Sequence, residues 1–182
     1  MPIKGLTAFR SNRKINGKFV SASHIDFEWT SQVVWAKCPW CPKDEDGHII
    51  HIGDDCGIYG TLTKGEVESY MDDESYVLFL VEALGKYWGK YDKTWEVQGG
   101  FQAPGAQIVA VVDYIRPKID VVHQPVIKPI TSNERIITPA MLNMMEASER
   151  FNVPIINLNV AWDICKTMWE QLMPKEYPWA FT

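Results

Sequence analysis

A chain of 182 residues that is 46% hydrophobic can fill one core of ordinary size, or one core with an appendage. Its net charge of −5 weighs against a nucleic-acid binder that draws its affinity from neutralising phosphates, and no segment approaches the roughly 18 apolar residues of a membrane span. The N-terminal stretch MPIKGLTAFRSNRKINGKF holds no apolar run of signal-peptide length, so the expectation is a soluble cytoplasmic protein. Charge is unevenly spread: residues 1–20 carry Lys4, Arg10, Arg13, Lys14 and Lys18 and no acid, whereas residues 44–82 carry eleven acids against one lysine.

In chain order, LTAFRSNRKINGKFVSAS places Asn16-Gly17, a dipeptide suited to a type I′ turn, between β-prone stretches, which predicts a hairpin with Arg13, Lys14 and Lys18 near its tip. SQVVWAKC is a short β-prone run ending at Cys38, and the polar, Pro-interrupted stretch up to Gly47 is irregular. CGIYGTLT restores an extended pattern. Thr63 and Glu66 have capping-box spacing and open a short helix, KGEVESYMDD. YVLFLVEAL reads as a buried strand, and TWEVQGGF and AQIVAVVDYI as two more.

Beyond residue 116 the texture changes. Four prolines in RPKIDVVHQPVIKPITSNERIITP predict an extended connection over 117–137. Thr138-Pro139 then starts a helix with Met141, Met144, Met145, Ser148 and Phe151 at helical spacing. A second helix begins near Val160, and its stripe of Ala161, Trp162, Cys165, Met168, Trp169 and Leu172 makes Cys165 a core thiol. The fold class read from this pattern is α+β: a β-rich, zinc-stabilised domain over 1–116, the Pro-rich connection, and two C-terminal helices over 138–182 that pack on it.

The chemistry concentrates in CPWCPKDEDGHIIHIGDDCGIYG, residues 38–60. In a reducing compartment, two cysteines three apart hold metal or do redox chemistry more readily than they form a structural disulfide. Cys38-Pro-Trp-Cys41 has the form of a zinc knuckle, in which two thiolates turn toward one ion and the tight loop's amides donate to sulfur. Cys56 is the third ligand, and either His51 or His48 the fourth, closing a Cys3His tetrahedron on Zn2+. His51 is preferred because its shorter separation from Cys56 leaves a smaller loop to order. A thioredoxin-like reading fails on the segment after Cys41, which lacks the apolar periodicity of a helix that would lower a thiol pKa. A catalytic zinc would need an open position and a base such as Asp54 or Asp55. The His-x-Glu of zinc deaminases is absent, as are His-Glu-x-x-His, Gly-x-Ser-x-Gly and a Walker loop.

The order GLTAFRS, AKC, a His-bearing loop, CGIYG, ALGK and TWEVQGG resembles a family of small, uncharacterised proteins from actinobacteria and some phages. That family has an early Tyr-Arg-Ala-Trp-like strand, a lone Cys, a His-rich loop and a Cys-x-Cys-Gly-Ile-Tyr-Ala signature. The resemblance spans roughly residues 3–104, and only Cys-Gly-Ile-Tyr is specific. The chain departs from the pattern at Asp54, where the family has Cys, and carries an additional thiol in Cys-Pro-Trp-Cys. The total stays at three cysteines plus histidine, a compensation that suits a structural metal better than a catalytic one.

The resemblance implies no established activity. The expectation is a non-enzymatic, zinc-stabilised module that binds another protein, phage-encoded and acting in the host cytoplasm on host or virion proteins, with Trp179 and Phe181 of the terminal EYPWAFT as a docking tail. One alternative is a nucleic-acid-binding zinc protein using Arg13, Lys14 and Lys18, with Trp40 stacking on a base. Another is a metallohydrolase using Asp54 or Asp55.

Overall fold

The computed structural model describes residues 3–22, 27–49, 56–62, 64–69, 74–85, 88–90, 99–114 and 137–176. Among them it has strands β1 (Thr7–Ile15), β2 (Lys18–Ser21), β3 (Val33–Trp35), β4 (Ile58–Thr61), β5 (Tyr76–Leu84), β6 (Trp88–Lys90), β7 (Gly100–Ala103), β8 (Gly105–Asp113) and β9 (Ile155–Asn157). The helices are α1 (Lys64–Ser69), α2 (Pro139–Phe151) and α3 (Leu158–Glu176). The strands form one sheet in the order β3-β8-β5-β1-β4-β7-β6, with β2 also on β1 and β9 also on β8. Every pairing is antiparallel except β8 with β9. The fold is α+β with a helical C-terminal segment, as the sequence predicts.

The hairpin forms at the expected turn. Asn16 and Gly17 both take positive φ, 50° and 76°, the left-handed pair that a type I′ turn requires, and β1 and β2 pair from Ile15↔Lys18 to Asn12↔Ser21.

Strands β1, β5 and β8 occupy the middle of the sheet, and β5 is buried from Tyr76 to Ala83 without alternation. Both faces are therefore covered, which is why YVLFLVEAL is apolar except at Glu82, whose carboxylate accepts the Lys4 and Gly5 amides. Register shows what covers each. Phe9 pairs with Leu80 and Arg10 with Phe79, so Phe9 and Phe79 point to opposite faces. Phe9 packs on Trp162 of α3, ring centroids 4.4 Å apart, and Trp169 of α3 donates its indole N–H to the Thr7 carbonyl at 2.6 Å. Phe79 meets Phe151 of α2 edge-on at 5.7 Å, beside Phe19 and the fully buried Trp29. Trp29 donates its indole N–H to Asn12 at 2.8 Å, so this large side chain leaves no orphan donor in the core.

Helix α2 begins as its sequence predicts: Thr138 is the N-cap, its hydroxyl accepts the Met141 amide at 3.3 Å, and Pro139 follows. Its buried face is Met144, Ala147 and Phe151, whereas Met145, expected on that stripe, is 54% exposed. In α3, Ala161, Cys165 and Trp169 are fully buried, with Trp162 and Leu172 packed beside them.

Several elements differ from the sequence reading. Strand β3 stops at Trp35 because its partner β8 begins at Gly105, and Pro104 before it offers only a carbonyl, which the Ala36 amide bonds. Strands β6 and β9 are three-residue pieces without a readable pattern. Helix α1 is described over Lys64–Ser69; its expected cap Thr63 and residues 70–73 of the predicted helix lie outside the described residues, as do residues 94–98 of the TWEVQGGF run, 117–136 of the connection and 177–182 of the tail. No helix among the described residues is long and apolar enough to cross a membrane.

Candidate metal centre

The site is built where β3 and β4 meet the polar stretch between them. Trp35 pairs with Gly105, and the Ala36 amide still bonds the Pro104 carbonyl at 2.8 Å, so the chain stays anchored to the sheet almost to Cys38. At the other end, Cys56 stands two residues before β4, and Gly57 makes the turn into it with φ 106°, a conformation that disfavours any side chain. The buried Gln102 of β7 donates its amide to the Cys56 carbonyl and to the Tyr59 hydroxyl, the latter at 2.6 Å. The Cys-Gly-Ile-Tyr stretch thus has a local reason for each residue: a thiol, a turn, the fully buried Ile58, and a hydroxyl held by Gln102.

Three thiols converge there. The sulfurs of Cys38, Cys41 and Cys56 all lie within 4.8 Å of one another, and those of Cys38 and Cys56 are 3.1 Å apart. Cys38 is buried, and Cys41 and Cys56 are half-buried. The Cys38 thiol is pulled down to about 7 by hydrogen bonds from Cys41 and then Cys56, aided by the backbone amides of Trp40 and Cys41, against the opposing effect of burial. Cys41 is pushed up to about 12, first by its hydrogen bond to Cys38 and then by that to Cys56. One sulfur is set up as a thiolate and its neighbour keeps its proton. Amides aimed at Cys38 are what a tight Cys-x-x-Cys turn supplies to a metal-bound sulfur.

His48 takes a different place. Its ring stacks on the Trp35 indole, centroids 3.5 Å apart and planes 14° apart, and its Nδ1 lies 3.7 Å from the Asp44 carboxylate. The donor group containing it is Asp44, Asp46 and His48, separate from the three cysteines. The acidic turn is organised by Asp44, whose carboxylate accepts the amides of Asp46 at 3.0 Å and His48 at 2.8 Å. Lys43 bridges Ile49, and Ile49 is 2% exposed, so residues 43–49 fold as a small flap over Trp35. Gly105 makes room for that indole, since a Cβ there would come within 2.5 Å of it. His51, Asp54 and Asp55 lie outside the described residues.

The donor set fits zinc. Three soft thiols at mutual ligand distance, one of them amide-stabilised as a thiolate, match three corners of a structural zinc tetrahedron. Cys38, Cys41 and Cys56 would hold the ion, and the ion would neutralise sulfurs that otherwise share protons.

The residues of the nucleic-acid reading are placed as follows. Lys14 pairs with Glu146 of α2 and Lys18 with Glu28. The Arg13 guanidinium lies 4.8 Å over the Tyr76 ring. Trp40, on the turn between Cys38 and Cys41, is 91% exposed.

Neither Trp35 nor Gln102 was marked by the sequence as belonging to this centre, because both reach it through sheet pairing rather than through spacing. Asp44 carried a weak signal, the Asp-x-Asp-Gly turn chemistry. Comparison with family models, curated proteins and solved structures finds no match.

Proposed function

We propose that the chain is a zinc-stabilised, non-enzymatic binding module whose Cys38, Cys41 and Cys56 thiolates, with His51 as fourth ligand, hold one structural zinc and present Trp40 to another protein. The observation that carries this reading is the convergence of three sulfurs within 4.8 Å from two anchored chain segments. A closed set of four protein ligands leaves zinc no water to activate, so the ion's part is to stiffen the 38–56 segment rather than to react. Trp40 supports protein docking: a large side chain with two rotatable bonds, 91% exposed on a turn pinned by metal, is the kind of anchor on which protein interfaces concentrate their energy. The basic hairpin does not favour nucleic acid, since Lys14 and Lys18 already have carboxylate partners.

X-ray absorption at the zinc edge of the purified chain tests the metal half. One zinc with three sulfurs and one nitrogen is expected, and an oxygen in the shell would turn the reading toward hydrolysis by Asp54 or Asp55. For the docking half, a partner captured by the native chain should be lost by Trp40→Ala. Retention by that variant, or a binding that falls steeply with salt and requires nucleic acid, would overturn it.

A further inference from the structure

Two of the three sulfurs stand in a relation that zinc ligation alone does not require. Thiolates on a tetrahedral zinc with bonds of about 2.3 Å sit about 3.8 Å apart. The sulfurs of Cys38 and Cys56 are 3.1 Å apart. A disulfide bond is about 2.05 Å long, so roughly 1 Å of approach would join them. The third sulfur is differently supported. Cys38 follows a segment tied to β8 through Trp35 and Ala36, and Cys56 is held by Gln102 at the mouth of β4, whereas Cys41 lies on a turn outside any strand.

We infer that the centre is a peroxide-sensitive release site, in which Cys38 and Cys56 close a disulfide and let the metal go. The inference rests on the zinc reading for its cargo, but its pairing rests on the sulfur geometry alone. Hydrogen peroxide oxidises the half-buried Cys56 thiolate to sulfenic acid: its O–O bond breaks, one OH joins the sulfur, and the other leaves as hydroxide, which takes a proton from solvent to become water. The Cys38 thiolate then attacks that sulfur and expels hydroxide, which takes a proton to become a second water. The two sulfurs together give two electrons to one peroxide. With two of its thiolate ligands consumed, zinc is left with Cys41 and one nitrogen and dissociates. The new bond joins residues 18 apart, so the sheet ends stay stapled while the turn carrying Trp40 loses its metal anchor. Oxidation would thereby switch off the docking surface without unfolding the domain.

The test uses the purified 182-residue chain, loaded with zinc and titrated with hydrogen peroxide beside a chromogenic zinc chelator. Non-reducing tryptic mapping follows, because cleavage at Lys37, Lys43 and Lys64 puts Cys38 and Cys41 on one peptide and Cys56 on another. The expected result is zinc release in step with a cross-link between the two peptides, which fragmentation assigns to Cys38, and reversal of both by dithiothreitol with added zinc. Cys41→Ser should still form the cross-link. A bond closed within the 38–43 peptide, or zinc retained under excess peroxide while sulfinic acids accumulate, would overturn the inference. If the purified chain takes up no zinc, the zinc reading fails by itself. The same mapping on that metal-free chain then decides the pairing, with Cys38 to Cys56 sustaining it and any other pair refuting it.

Discussion

The imidazole of His48 lies flat on the indole of Trp35, 3.5 Å between centroids and 14° between planes, and this contact ties the 43–49 flap to strand β3. A ring committed to an aromatic face and to the Asp44 carboxylate is placed for packing, not for completing a metal shell.

His48→Ala should therefore keep zinc at the native stoichiometry. It should lower stability by about 0.5–1.5 kcal/mol, the usual range for an aromatic pair. His51→Ala, by contrast, should lose the nitrogen from the zinc-edge spectrum. Elemental analysis with thermal melts separates the two, and metal loss in His48→Ala would reverse the assignment.

Metal removal should loosen one region and spare another. The main core, including Phe9, Trp29, Phe79 and Trp169, is fully buried, and none of Cys38, Cys41 and Cys56 belongs to its cluster. Chelation should raise amide exchange over residues 38–56 while β1, β5 and β8 stay protected. Exchange mass spectrometry reads this directly, and a global loss of protection would show that zinc holds the whole fold, as it does in small zinc modules.

Cys165 makes a second, independent contrast. Burial pushes its thiol from the ordinary 9.0 up to about 12. A proton kept in the fold but lost in the unfolded chain stabilises the fold below pH 9, and that contribution disappears as pH rises through 9 toward 12. The slope can reach about 1.4 kcal/mol per pH unit. Cys165→Ala should show a shallower alkaline decline than the native chain, at a packing cost of about 1 kcal/mol and with zinc unchanged. Parallel declines would mean the thiol is more exposed than its position implies.

Arg10 holds a split in the sheet. Along β1, strand β4 pairs only at Phe9 and β2 only from Asn12, and the Arg10 guanidinium spans the interval: one nitrogen donates to the Tyr59 carbonyl of β4 and another to the Ser21 hydroxyl of β2 at 3.0 Å. It lies 5.0 Å over the Phe27 ring, with no carboxylate beside it among the described residues. Burial pulls its pKa to about 10, which still leaves it charged at neutral pH. Arg10→Lys supplies one nitrogen where two acceptors need a fork, so it should cost about 1–3 kcal/mol in urea unfolding despite keeping the charge. Native-like stability would show that the fork is dispensable.

How much of this was legible depended on how local the cause was. The Asn16-Gly17 turn and the Thr138-Pro139 helix start were readable because a few residues set their own dihedrals and caps. The thiol trio was readable because the ligand types and spacing are themselves the signal. Strand β9 was not, since its three residues gain their place only by pairing parallel to β8, more than forty residues earlier in the chain. Met145 misled by phase: the buried face is Met144, Ala147 and Phe151, and Met145 stands about 100° round the helix from Met144 and is exposed. The places of Trp35 and Gln102 are set by register between strands far apart in sequence, and His48 takes its place by stacking on Trp35.

Trp40 separates stability from binding most cleanly. At 91% exposure its side chain contributes little to the fold, so Trp40→Ala should leave the melting temperature and the zinc content unchanged, within about 0.5 kcal/mol. An interfacial tryptophan at the centre of a docking surface is worth about 2 kcal/mol or more, which is roughly a thirtyfold loss of affinity. Titration calorimetry of the native chain and the variant against a captured partner measures that ratio. Equal affinities would move the docking surface away from the thiol centre, and lost zinc in the variant would mean that the indole supports the turn instead of a partner.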